Sequence, residues 1–117
     1  TFVDTYLTQS ITPSRGDSKV KITASFPIEN LAGNSAYFTL ERNSTNISPA
    51  TNPLLGFGIY STGAPDRNTI TIQWLDEPSS TSAVTYTLQI RSTNAGTNVI
   101  CGDYGAQVMI LEELAGY

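Results

Sequence analysis

A spacing of two runs through most of this chain. In "AVTYTLQIRS", Val84, Tyr86, Leu88 and Ile90 alternate with Thr85, Thr87, Gln89 and Arg91. Successive side chains of an extended strand point to opposite faces, so this alternation makes one apolar and one polar face. "KVKITASF" repeats it, with Val20, Ile22, Ala24 and Phe26 set against Lys19, Lys21, Thr23 and Ser25. "AYFTLER" sets Phe38 and Leu40 against Tyr37, Thr39 and Glu41, and "NTITIQWL" brings Ile70, Ile72 and Trp74 together. Each is predicted to be a half-buried strand.

Two further stretches are apolar on both faces. "LLGFGIYS" runs Leu55, Phe57 and Ile59 against Leu54 and Tyr60, and "AQVMILEEL" runs Ala106, Val108 and Ile110 against Met109 and Leu111. A strand covered on both faces lies either beneath its own chain's loops or at a subunit interface. The C-terminal strand is the stronger interface candidate, because its second face would offer Met109 and Leu111 to water. Its β-branched content and all-β surroundings favour a strand over a short helix.

Turn chemistry separates the runs: "TPSRGDS", "LAGNS", "NSTNISPATNP", "STGAPDRN", "DEPSSTS", "STNAGTN" and "GDYGA". Strands recur at roughly 10–18-residue intervals, the rhythm of an antiparallel β-sandwich or jelly roll of roughly 8–10 strands. The 117 residues suit one domain, 1–117, large enough for a core without disulfide staples. Cys101 is the single cysteine and reads as a small buried hydrophobe.

Composition narrows the function. The net charge is −4 and the six basic residues are scattered, whereas phosphate binding needs clustered Lys and Arg. Nucleic acid is therefore not an expected partner. No apolar run approaches the roughly 18 residues that span a bilayer, so membrane insertion is not expected. The opening "TFVDTYLTQS" lacks the basic start and apolar middle of a signal peptide, as an excised domain would.

The chain has no histidine, which removes the commonest general base and every Ser-His-Asp or Cys-His arrangement. The carboxylate pairs Asp76-Glu77 and Glu112-Glu113 are sequence neighbours, so on strands they point apart. A non-enzymatic domain without cofactor or metal is the expectation. A loop calcium site from Asp66, Asp76 or Asp103 would be the exception, and the plainer reading is three solvated turn aspartates. Asn43-Ser44-Thr45 and Asn46-Ile47-Ser48 match the N-glycosylation pattern, which matters only in a eukaryotic secretory pathway. Trp74 reads as core. Tyr60 and Tyr104, beside loops, are better placed as exposed stacking surfaces.

Arg15-Gly16-Asp17-Ser18 spells the tetrapeptide by which integrins hold many extracellular proteins. Every residue of "PSRGDS" also has an ordinary turn role. Pro13 fixes φ, Gly16 can take φ > 0 at no steric cost, and Asp17 and Ser18 can hydrogen-bond nearby backbone. An exposed loop tip is therefore expected. Arg15, Asp17, Asp66, Arg67 and Tyr104 are the candidates for an exposed binding surface.

Four stretches then form a recognisable series: "TYLTQSITPSRGDSKVKITASF", "AYFTLERNSTNIS", "TITIQWLDEPSSTSAVTYTLQIRS" and "YGAQVMILEEL". In this order they resemble a module common at the C-termini of tail-fibre and other appendage proteins of bacteriophages and environmental viruses. The most specific pieces are Ser10-Ile11-Thr12-Pro13, Leu75-Asp76-Glu77-Pro78 through Tyr86, and Ile110 to Leu114. The resemblance implies a trimeric jelly roll of the tumour-necrosis-factor and complement globular-head type. It implies the distal knob of a fibre on a virion, recognising a host cell-surface receptor, glycan or protein. Phe57, Tyr60, Met109 and Leu111 are then candidates for the trimer interface. This chain departs from the pattern by carrying Arg-Gly-Asp where the family usually has serines, and by continuing past Leu114 as Ala115-Gly116-Tyr117. The family's binding residues do not carry over. The alternatives are a purely structural capsid or fibre trimerisation domain, and a cellular cytokine-like or adhesion ligand using Arg15-Gly16-Asp17.

Overall fold

The computed structural model describes residues 3–30, 35–47, 57–60, 66–92, 99–101 and 107–115. These form nine strands: β1 (Val3–Ile11), β2 (Lys19–Asn30), β3 (Ser35–Arg42), β4 (Thr45–Asn46), β5 (Phe57–Tyr60), β6 (Asp66–Asp76), β7 (Val84–Ser92), β8 (Val99–Cys101) and β9 (Val108–Leu114). All the pairings are antiparallel and fall into two sheets. In the first, β7 lies between β1 and β3, and β4 and β5 share the far side of β3. In the second, β2 has β6 on one side and both β8 and β9 on the other.

The period-two residues build a core common to both sheets. Val20, Ile22, Ala24, Phe26, Phe38, Leu40, Tyr86 and Leu88 are wholly buried. Each large apolar side chain removed from water contributes about 1.5–3 kcal/mol. The rings of Phe26 and Phe38, one from each sheet, lie 5.0 Å apart and tilted by 60°. Ile70 and Trp74 are half-buried and pack against this core, as their spacing predicts.

Pro27 explains why two short strands share one side of β2. It sits in the middle of the longest strand and has no N–H to give to a ladder. The β9 pairing ends at Ser25↔Val108 and the β8 pairing begins at Ile28↔Cys101, so Pro27 falls in the gap.

The C-terminal segment is a strand, as expected, but its faces are reversed. Met109 is buried in the core and Leu111 packs against it, whereas Val108, Ile110 and Leu114 are exposed. Register decides this, because Met109 and Leu111 oppose Ala24 and Ile22, which point inward. The outward apolar residues of β9 are therefore not the pair expected from the sequence.

One end of the molecule gathers several chain reversals. The pairs Ile11↔Val84, Arg42↔Tyr86, Val20↔Asp76 and Lys19↔Leu114 all lie there. The 12–18 loop, the Asn43-Ser44 turn, the 77–83 connection and the last residue of β9 consequently meet at this end.

Candidate functional site

Two polar clusters occupy that end. The first joins the two sheets. Asp76 closes β6 with the inward parity of Ile72 and Trp74, and is only 7% exposed. Arg42 closes β3 with the inward parity of Phe38 and Leu40, and Tyr86 lies opposite it on β7. Arg42 Nη1 donates to both carboxylate oxygens of Asp76, at 2.6 and 2.5 Å. The Tyr86 hydroxyl donates to Asp76 Oδ2 at 2.6 Å. Burial, and then the hydrogen bond to Asp76, push the Tyr86 phenol well above its ordinary pKa. The hydrogen bond to Asp76 likewise raises the Arg42 guanidinium.

Asp76 is thus not a solvated turn aspartate. Both of its oxygens face donors of its own chain, an arrangement that holds a strand end and leaves a calcium ion no vacant carboxylate. The physical reason is parity. Asp76 is the last inward position of β6, and it reaches the core edge because Arg42 and Tyr86 neutralise and hydrogen-bond it there.

The second cluster fixes the Arg-Gly-Asp loop. Glu113 shares the inward parity of Met109 and Leu111 on β9. Its Oε2 accepts from Ser14 N at 2.7 Å, Ser14 Oγ at 2.8 Å and Ser18 Oγ at 2.6 Å. These bonds, Ser18 first and then Ser14, hold the Glu113 carboxyl below the usual carboxylate range. Pro13 is fully buried at one foot of the loop, and Ser18 is buried at the other. Between them Ser18 N donates to Arg15 O at 3.3 Å.

The tip itself is exposed, as predicted. Arg15 Nε and Nη2 donate to Asp17 Oδ1 and Oδ2 at 2.9 and 2.8 Å, a two-pronged pair with both side chains more than half exposed. The two charges that an Arg-Gly-Asp receptor would read are turned onto each other. Gly16 does not adopt the left-handed φ that glycine would permit, and a Cβ there would meet nothing within 4 Å. Among the described non-glycine residues, positive φ falls on Asn43 (48°), Ser44 (73°) and Ser79 (52°). Asn43 and Ser44 are consecutive left-handed residues at a hairpin tip, as in a two-residue type I′ loop. Asn43 Oδ1 also accepts from Thr85 N at 2.9 Å, which ties that tip to β7.

The remaining sequence candidates lie elsewhere. Asp66 and Arg67, expected in a loop, are the first residues of β6, paired with Asn30 and Glu29. Phe57 and Tyr60 belong to β5, opposite Phe38 and Ser35; their side chains lie outside the described residues. Tyr104 and Asp103 also lie outside the described residues, as does the side chain of Cys101. Thr39, expected on a polar face, is buried and donates to Asn46 Oδ1 at 2.9 Å.

Sequence reasoning missed Arg42, Ser14, Ser18 and the inward role of Glu113. The available signal was parity. Arg42, Asp76 and Glu113 each continue the apolar phase of their strand by one step, and a charge in that phase needs a partner.

Comparison of the chain with protein-family models, curated proteins and solved structures returned no match.

Proposed function

We propose that this chain is a viral, phage-type fibre or appendage tip. It is a non-enzymatic jelly-roll module on the virion that assembles as a homotrimer and recognises a host-surface receptor, glycan or protein. One observation carries this reading. The three pieces that carry the resemblance are distant in the chain, yet all three reach the same end of the fold, where Ser10 and Ile11 pair with Thr85 and Val84. Ser10–Pro13 leads into the clamped loop, Leu75–Tyr86 contains both Asp76 and Tyr86, and Ile110–Leu114 contains Glu113.

Three copies on one axis multiply a weak site, so a shallow receptor surface gives useful avidity. The isolated domain should therefore bind host cells or a glycan array saturably, and better as the assembled form than as a monomer. A trimer that binds no host surface would instead identify a structural trimerisation domain. A stable monomer would remove both trimer readings.

A further inference from the structure

A shallow groove of about 410 Å³ lies on the outer face of the β6-β2-β9 sheet, lined by Lys21, Gln73, Trp74, Leu75 and Leu114. That volume is near the lower end of the range for ligand sites, roughly 300–1,000 Å³. Strand register builds the groove. Leu75, Lys21 and Glu112 form one row across the three strands, and Gln73, Thr23 and Ile110 form the next. Leu114 lies beside Lys19. Leu75 on β6 and Leu114 on β9 are thus walls on either side of β2, with strands about 4.8 Å apart, and Lys21 lies between them. Both leucines are exposed.

Electrostatics select the occupant. Lys21 Nζ and Glu112 Oε1 stand 4.0 Å apart, with side chains 40% and 52% exposed. That distance is too long for a hydrogen bond, so the ammonium keeps its donors and the carboxylate its acceptors for a further partner. Lys19 differs, since its Nζ lies 3.3 Å from Glu77. A group that fits between Lys21 and Glu112 must accept from one and donate to the other, as a hydroxyl does. A net anion would meet Glu112 and a net cation would meet Lys21. A wholly apolar occupant would take water from both charges and replace none of it. Gln73 adds an amide that both donates and accepts. Leu75 and Leu114 offer aliphatic surface against which C–H groups can leave water. A sugar ring carries both hydroxyls and C–H faces. A protein surface fits less well, because Lys21, Thr23 and Ser25 run along the centre of this face, where a protein interface is apolar.

We infer that this groove binds a neutral saccharide, one hydroxyl bridging Lys21 and Glu112 and the ring packing between Leu75 and Leu114. The inference deepens the fibre-tip reading and rests on it for the source of the sugar, a glycan of the host surface.

Trp74 is the single tryptophan of the chain and lines the groove, so its fluorescence reports occupancy. Methyl glucoside, methyl galactoside, methyl mannoside and N-acetylglucosamine are the neutral probes. Glucuronic acid and protonated glucosamine are the charged controls. At least one neutral sugar should change the emission saturably in the millimolar range, and the charged sugars should bind about tenfold more weakly than it does. Lys21→Met should weaken that neutral sugar about tenfold or more, by removing a hydrogen bond to a charged group. Glu112→Gln leaves Lys21 alone and should admit glucuronic acid. Lys19→Met should change neither result. Circular dichroism establishes that each variant is folded. No saturable response to any neutral sugar, or a response that folded Lys21→Met leaves unchanged, would overturn the inference. Lys21-dependent sugar binding without attachment to host cells would leave it standing and remove the fibre-tip reading. Host-cell attachment that neither the sugars nor Lys21→Met diminishes would do the reverse.

Discussion

Glu113 Oε2 accepts a hydrogen bond from Ser18 Oγ at 2.6 Å across a sequence separation of 95 residues. This contact ties the Arg-Gly-Asp loop to the strand whose opposite face carries Ile110 and Leu114. The two sides of β9 thereby do different things, one fixing a loop and the other offering an apolar surface.

The clamp should be acid-sensitive. Hydrogen bonding depresses the folded pKa of Glu113 below its unfolded value of about 4.3. Its stabilising contribution is therefore present above pH ~4.3 and lost as pH falls through the folded pKa. Amide exchange at Ser14 should accelerate in acid relative to the amides of β1 and β2, and E113Q should remove that pH dependence. Equal acid responses in wild type and E113Q would show that the clamp does not titrate.

The buried cluster should matter more to stability. Tyr86→Phe removes a hydroxyl bonded to a charged group and should cost about 1.5–3 kcal/mol. Asp76→Asn leaves Arg42 without its carboxylate and should cost about 2–3 kcal/mol, less than for a fully buried pair because Arg42 is 26% exposed. Urea unfolding of both single variants and the double variant should reveal coupling, since the two residues are joined by one hydrogen bond. Additive losses would refute a single network.

Base should also unfold the protein through Tyr86. Its folded pKa is raised above the unfolded value of about 10, so its contribution is complete below that pH. It is lost as pH rises above about 10 toward the folded pKa. Thermal unfolding between pH 9 and 11 should show a steeper decline for wild type than for Tyr86→Phe.

The glycine of the loop is conformationally unnecessary. Gly16→Ala should leave the fold intact and raise stability by about 0.4–1 kcal/mol, by restricting the unfolded chain. Ser44→Gly should gain about 0.5–1 kcal/mol by relieving a left-handed serine. Thermal melts of the two variants, each expected above wild type, provide the check.

Integrin-bearing cells should not adhere to the domain through Arg15-Gly16-Asp17. The exposed Arg15–Asp17 pair is worth only about 0–1 kcal/mol, so it also predicts a nearly unchanged melt for Asp17→Glu. Adhesion by the parent that Asp17→Glu abolishes would reverse this assignment.

The strands were legible because alternation is a local signal. Val84–Ile90 and Val20–Phe26 show their buried phase in a handful of residues each. The clusters were less legible because their members are far apart in the chain. Nothing near Asp76 in sequence announces Arg42, and nothing near Glu113 announces Ser14 or Ser18.

Sequence by itself determined which residues share a face of each strand, where the chain turns, and that the fold is all-β. It could not decide which face of β9 turns inward, because both are apolar and alternation defines parity without direction. Tertiary structure decided that through the register of Met109 on Ala24, which sends Glu113 to the loop and leaves Ile110 outside. It also decided that Asp76 is buried, because only a contact across the two sheets can supply a buried carboxylate with the guanidinium and phenol that make its burial affordable.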